Sequence, residues 1–378
     1  MIAKVRAHTQ NTRKDTLSVV QAFRVALGST KRRRIEPHDD YGFFGPGSVT
    51  WKVWSYPTSV SVGFQRSVVI EELDPNLIAA VDATADIYKR PRTRYDRTLR
   101  YFAMVKFGGS EAVCKASNIL VKVHSKAVGI DPLLGNQYDA NNPQSQLWIH
   151  LTAWHSILYA YEKYGPGRLS PQEEAQYWHE CAIAAEFQTC DPGDVPRTRD
   201  GVAQYFEYMR PKLAGSEAAQ RAMDHLLNAQ VMFPPLPTAL RPAGWVISRV
   251  LRSATIATMP HWMRKMGGLQ QPRLIDAMIT PVMKAHFRVV SLSPRLQLIL
   301  LQQISPSTVP IAAPVLYKIP AKSRETLTPA EARERFGYSK PAEAYQEWRA
   351  RQVELMRAGK KTSDEGLIES QDLLGSLA

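Results

Sequence analysis

Cysteine is scarce in this sequence. Three residues, Cys114, Cys181 and Cys190, are spread through 378 and none forms a Cys-x-x-Cys pair. That argues against a disulfide scaffold and a zinc ribbon, and the lack of Cys-x-x-Cys-His excludes covalent attachment of a c-type haem. An odd set of isolated thiols suits a reducing compartment. Long apolar runs are missing too: no stretch reaches the roughly 18 residues that span a bilayer, and Met1-Ile-Ala-Lys-Val-Arg6 lacks the apolar core of an export signal. The expectation is a soluble, cytoplasmic protein, with peripheral contact to a membrane surface as a further option.

Gly-x-Gly-x-x-Gly, Walker, Gly-x-Ser-x-Gly and His-Glu-x-x-His motifs are all absent. Dinucleotide, phosphate-loop, hydrolase and zincin chemistry therefore have no foothold. The adjacent acids Glu71-Glu72 and Glu173-Glu174 point to different sides of their helices and read as solvated pairs. No Lys/Arg face is interleaved with aromatics, and no zinc-finger or helix-turn-helix signature occurs, so nucleic acid is not the expected partner.

What is present is positive charge and helical periodicity. Forty-eight basic residues against 35 acidic give a net charge of +13, and 44% hydrophobic content is enough for one large core. Residues 1–40 read as a short amphipathic helix (15–28) and a basic linker containing Lys31-Arg-Arg-Arg34. Residues 41–320 read as one all-α domain, and 321–378 as a charged helical appendage. Ser170-Pro-Gln-Glu173 is a capping box that starts a helix over 171–188, and Thr328-Pro-Ala-Glu331 repeats the pattern. Ser48 to Gly63 is rich in Val, Thr and Trp, so propensity alone permits a strand or hairpin there. The segments 245–252 and 260–267 combine apolar residues with Trp, Arg and Lys. Such helices either lie along a bilayer or cap a core with their basic ends in water.

The chain is organised around residues 91–129, which read as a helical hairpin. Pro91 suits a first helical position, Gly108 and Gly109 end the first helix, Ser110 caps the second, and Gly129 with Pro132 stops it. Arg94 and Thr98 share a face with Tyr101, Phe102 and Val105. His124 has Leu120, Val121, Ala127 and Val128 as helical neighbours, so its imidazole lies on an apolar face. Two readings stay open: a core histidine satisfied by a carbonyl or water, or an axial ligand to a haem between helices. His150 and His155 share a later helix, over 144–163, but lie about 140° apart around it, which excludes a paired zinc site. His150 could enter the cavity of His124, whereas His155 reads as a packing residue.

Arg94-Tyr-Asp-Arg-Thr98, Val105-Lys-Phe-Gly108, Val123-His-Ser-Lys-Ala-Val-Gly129, Leu147-Trp-Ile-His150 and the upstream Gly42-Phe-Phe-Gly-Pro-Gly-Ser-Val-Thr-Trp51 together resemble the catalytic domain shared by MpaB-type oxygenases and latex-clearing rubber oxygenases. The resemblance runs over about residues 40–310. It implies an all-α fold with an interhelical cavity for a non-covalent b-type haem. It further implies His124 as the iron ligand, Arg94 and Thr98 over the haem, His150 as a further pocket histidine, and Ser48 to Trp54 as a helix that brings Trp51 and Trp54 near the cofactor. Three positions depart from the family pattern. Arg97 replaces a lysine that can reach the sixth iron position, Val128 replaces an arginine, and Asp74-Pro75 replaces His-Pro.

The function implied is a haem b-dependent oxygenase that uses O2 on a hydrophobic, isoprenoid or lipid-like substrate. Its rivals are a non-catalytic helical protein holding lipid or haem at a membrane surface, and a haem peroxidase.

Overall fold

The 22-residue helix Pro143–Tyr164 has fifteen buried side chains distributed around its whole circumference, among them Trp148 and Trp154 with no exposure. A helix that is apolar on every side must be surrounded, and the other elements cover it. The computed structural model describes residues 35–360 apart from 131–134, 136 and 235–237. The expected helix at 15–28, the basic cluster Lys31 to Arg34 and the end of the chain after Lys360 lie outside the described residues.

In chain order the helices are α1 Val49–Trp54, a π-helical turn Ser59–Gly63, α2 Phe64–Ile70, α3 Pro75–Thr84, α4 Asp86–Lys89, α5 Pro91–Phe107 and α6 Ser110–His124. A two-stranded antiparallel ladder follows, β1 Val128–Ile130 with β2 Gln137–Asp139, pairing Gly129 with Tyr138. Then come α7 Pro143–Tyr164, α8 Pro171–Ala185, α9 Arg199–Met209, α10 Glu217–Leu226, α11 Arg241–Ala257, α12 His261–Met266, α13 Arg273–Ser291, α14 Pro294–Ile304, α15 Val309–Leu316, α16 Pro329–Phe336 and α17 Pro341–Arg357. The architecture is all-α, as the sequence implied. The π-turn, α2 and α13 pack on α7, while α16 and α17 pack on α6.

Strand propensity loses at Ser48 to Gly63. Ser48 caps α1 by accepting from Trp51 N at 3.1 Å, and Glu180 takes the first-turn amides of Val49 and Thr50 at 3.3 and 2.6 Å. With its end groups satisfied and five of its six residues buried, helix is the better state for this segment. Both capping boxes form, at Ser170 and at Thr328.

The central hairpin forms with its turn at Gly108 and Gly109, but Ser110 is not the cap. It is the first residue of α6, and the capping carboxylate comes from far upstream. Asp40 Oδ1 accepts from Ser110 N at 2.7 Å and from Gly42 N at 2.8 Å, while Oδ2 accepts from the Ser110 hydroxyl. A buried carboxylate there satisfies free amides and complements the positive end of the helix. Gly42 makes the approach feasible: its φ is +63°, and a Cβ would come within 2.3 Å of the Gly108 carbonyl oxygen. Asp40→Ala is expected to lower stability by about 2 kcal/mol, read as a shift in the urea midpoint with an unchanged slope.

At its other end α6 stops at His124, earlier than the expected Gly129, because the chain turns there into β1. Gly129 lies against Tyr138, where a Cβ would fall 2.6 Å from the ring carbon that bears the hydroxyl. The last turn of α6 is held from outside as well. Lys122 Nζ lies 5.4 Å from the Trp348 ring centre, and the Tyr345 hydroxyl bonds the Asp139 carboxylate in β2.

Candidate functional site

Between α5 and α6, closed by α3 and by the first turns of α7, lies a cavity of about 370 Å3. Its walls are mainly apolar, with Val68, Leu77, Phe102, Ile119, Leu120 and Val123 among them. That size and lining suit an organic ligand. Arg94, Thr98 and His124 all reach it, so the hairpin brings together the residues singled out from sequence.

His124 ends α6 half-buried and opens on this space. Burial pushes its pKa down to about 4, and the nearby Arg94 charge acts in the same direction, against the Asp139 charge and a bond to the Ala140 carbonyl. At neutral pH the imidazole is therefore uncharged. Its Nδ1 lies 3.4 Å from Gln146 Nε2, and that amide donates to the Ala140 carbonyl at 2.6 Å.

Thr98 donates its hydroxyl hydrogen to the Arg94 carbonyl at 2.9 Å, back along its own helix. With that hydrogen committed, it offers the cavity an acceptor. Arg94 makes no ion pair among the described residues, and its charge acts on Glu71, Glu72 and His124 alike.

Those two glutamates correct the sequence reading, which left Glu71 and Glu72 solvated. Both line the cavity, and Glu72 is 2% exposed with Oε2 lacking a hydrogen-bond partner. Burial raises the Glu72 pKa to about 7, and it raises Glu71 well above the usual carboxylate range with help from the Glu72 charge. The available signal was their setting: Val68-Val-Ile70 before and Leu73 after make this an apolar segment.

Two expected site residues lie elsewhere. His150 does not line the cavity. Its Nε2 is 2.8 Å from the Cys181 carbonyl, on the side of α7 that faces α8, and burial with the Lys106 charge pushes its pKa down to about 3. Gln146 and Ile149 occupy the cavity side of α7. Trp51 also turns away, donating from Nε1 to the Lys106 carbonyl at 2.8 Å and meeting Tyr41 and Phe107 edge-on. Lys106 itself was not singled out. It is buried, with Nζ 4.5, 4.6 and 5.2 Å from the ring centres of Trp54, Phe102 and Trp154, and burial brings its pKa down to about 7.

The three departures each have a place. Arg97 lines the cavity. Asp74 caps α3, accepting from Asn76 N at 2.9 Å with Pro75 at the first helical position, and Val128 begins β1.

The helical domain thus gathers a neutral imidazole, a guanidinium and two carboxyls with raised pKa values around one mainly apolar cavity. A family model described as the ER-bound oxygenase mpaB/B'/rubber oxygenase catalytic domain matches residues 51–291, and the chain belongs to that family. It is thus a member of an oxygenase family. No curated protein and no solved structure gives a match. Among the described residues no helix is long and apolar enough to cross a membrane, and no group of three or more His, Cys, Asp or Glu is placed to hold a metal ion.

Proposed function

We propose that the chain binds a non-covalent b-type haem in this cavity and uses O2 to oxidise a hydrophobic substrate of isoprenoid or lipid-like class. One observation carries the reading: Arg94, Thr98 and His124 converge on a single apolar chamber. The donor set fits the group. An uncharged imidazole that opens on the cavity suits an iron ligand, and the Ala140 carbonyl and Gln146 amide beside the ring are the kind of partners that orient one. A guanidinium that makes no ion pair among the described residues suits a carboxylate or an oxygen that gains negative charge.

In these roles His124 would hold the iron, and bound haem would supply the centre at which O2 is activated. Arg94 places a permanent positive charge at the cavity. Thr98 accepts a hydrogen bond, and Glu72, whose pKa burial raises to about 7, can take or give a proton at its carboxyl oxygen. The apolar walls exclude water. A guanidinium is a poor ligand for iron, so Arg97 would not take the position that the family's lysine can reach.

Titrating the purified protein with haem tests the proposal: a saturable Soret band at one haem per chain is expected, followed by O2 uptake on adding a hydrophobic substrate. Absence of the band would favour a lipid carrier, and peroxide dependence a peroxidase. Arg94→Ala should keep the band and lose about tenfold or more in turnover. Full turnover in that variant would remove the role given to Arg94.

A further inference from the structure

Eleven of the fifteen exposed large apolar side chains among the described residues fall between Leu240 and Leu296. On α13 they follow helical spacing, with Leu274, Met278 and Val282 on successive turns, then Val289 and, just past the helix end, Leu292, which are 57% and 76% exposed. On the neighbouring α11, which packs against α13, Trp245, Val246 and Ile247 are exposed as well. Such a concentration exceeds the scattered apolar residues of an ordinary soluble surface and needs an occupant.

The charge around it indicates which. Residues 238–304 hold nine Lys and Arg but one acid, Asp276, which is paired with Arg264 at 2.8 Å. Arg241, Arg249, Arg273, Lys284, Arg288 and Arg295 are exposed and form no ion pair among the described residues. The Arg249 guanidinium lies 5.3 Å over the Trp245 ring, an arrangement suited to the level where acyl chains meet headgroups.

We infer that the exposed faces of α11 and α13, with the start of α14, form a docking surface for a bilayer carrying anionic headgroups. A second copy of the chain would set two equally basic faces together. The first 34 residues, with nine basic residues against one acidic, are repelled in the same way. The last 18 residues are acidic, but hold five large aliphatic side chains to set against eleven, and they follow α17, which packs on α6. A bilayer supplies both the area and the charge. The surface is also coupled to the cavity: the turn Ala229–Val231 contributes Val231 to the cavity wall and is tied to α11 by Ala229 N donating to Ser248 Oγ at 3.3 Å. A substrate dissolved in lipid would then reach the chain where this wall is close. The docking itself does not depend on haem.

The test is sedimentation of the full chain with phosphatidylcholine vesicles, with and without phosphatidylglycerol, at low and high salt. Binding to the anionic vesicles that weakens with salt is expected. The Leu274→Asp/Met278→Asp/Val282→Asp variant should lose about tenfold or more in partitioning with its thermal midpoint unchanged, because these side chains are already in water. Arg241→Gln/Lys284→Gln/Arg288→Gln should lose the preference for phosphatidylglycerol while keeping residual binding. No sedimentation of the unmodified chain, or equal sedimentation of the aspartate variant, would overturn the inference. So would a dimer in gel filtration that the aspartate variant dissolves without any vesicle binding.

Discussion

Stoichiometric haem binding is expected to disappear in His124→Ala. Every other group at the cavity can orient or polarise a ligand, but among the lining residues only this imidazole has a nitrogen lone pair to offer iron. Its depressed pKa makes the claim sharper. Because the folded-state value is about 4, a proton competes for the ring only well below neutrality, so haem binding should persist as pH falls through 6 and fail as it approaches 4. The ring is half-buried at a helix end, so its removal should leave the far-ultraviolet spectrum as it is. His150→Ala supplies the contrast. That ring serves the Cys181 carbonyl deep in the core, and its loss should cost about 2–4 kcal/mol of stability while the Soret band remains. An unchanged haem titration in His124→Ala would falsify the assignment.

What the sequence made readable follows the range of the forces involved. The hairpin was legible because Pro91 and Gly108-Gly109 act on their own neighbourhood, as do the boxes at Ser170 and Thr328. Ser48 to Trp54 was ambiguous because its helix is fixed by Glu180, more than a hundred residues away, against its own β-branched composition. Ser110 looked like a cap because the real one, Asp40, has no mark in the local pattern. The cavity was partly legible, since Arg94 and Thr98 share a helix face whatever surrounds them. His150 lies off the cavity wall for a reason built into α7. A helix buried on all sides carries no polarity gradient to set its phase, so nothing in the sequence favours Gln146 or His150 as the residue that faces the cavity. Glu71 and Glu72 were misread for the converse reason: adjacent acids suggest solvent, and only the packing of α2, α3, α7 and α10 around their turn shows that they are enclosed.

Glu72→Gln is expected to stabilise the protein at pH 8 and to leave it unchanged at pH 4. In the folded chain this carboxyl titrates near 7, against 4.5 for an unperturbed glutamate, with burial as the dominant cause and the Arg94 charge opposing it. The folded state therefore binds the proton more tightly than the unfolded state does. Its contribution to stability is complete below pH 4.5 and is lost as pH rises through about 7. A shift of that size corresponds to about 3 kcal/mol at most, so a neutral side chain of the same shape should recover about 2–3 kcal/mol at pH 8. The Glu72 charge also raises the Glu71 pKa, so its removal relieves a second buried carboxyl in the same direction. Urea denaturation at the two pH values reads the difference directly, and equal gains at both would show that the buried charge is not the cause. If the Glu72 proton takes part in oxidation, the same variant should turn over more slowly while standing up to more urea. A protein keeps such a carboxyl in an apolar wall at a cost to its stability, and a gain in stability bought with a loss of turnover is the signature of a group retained for chemistry.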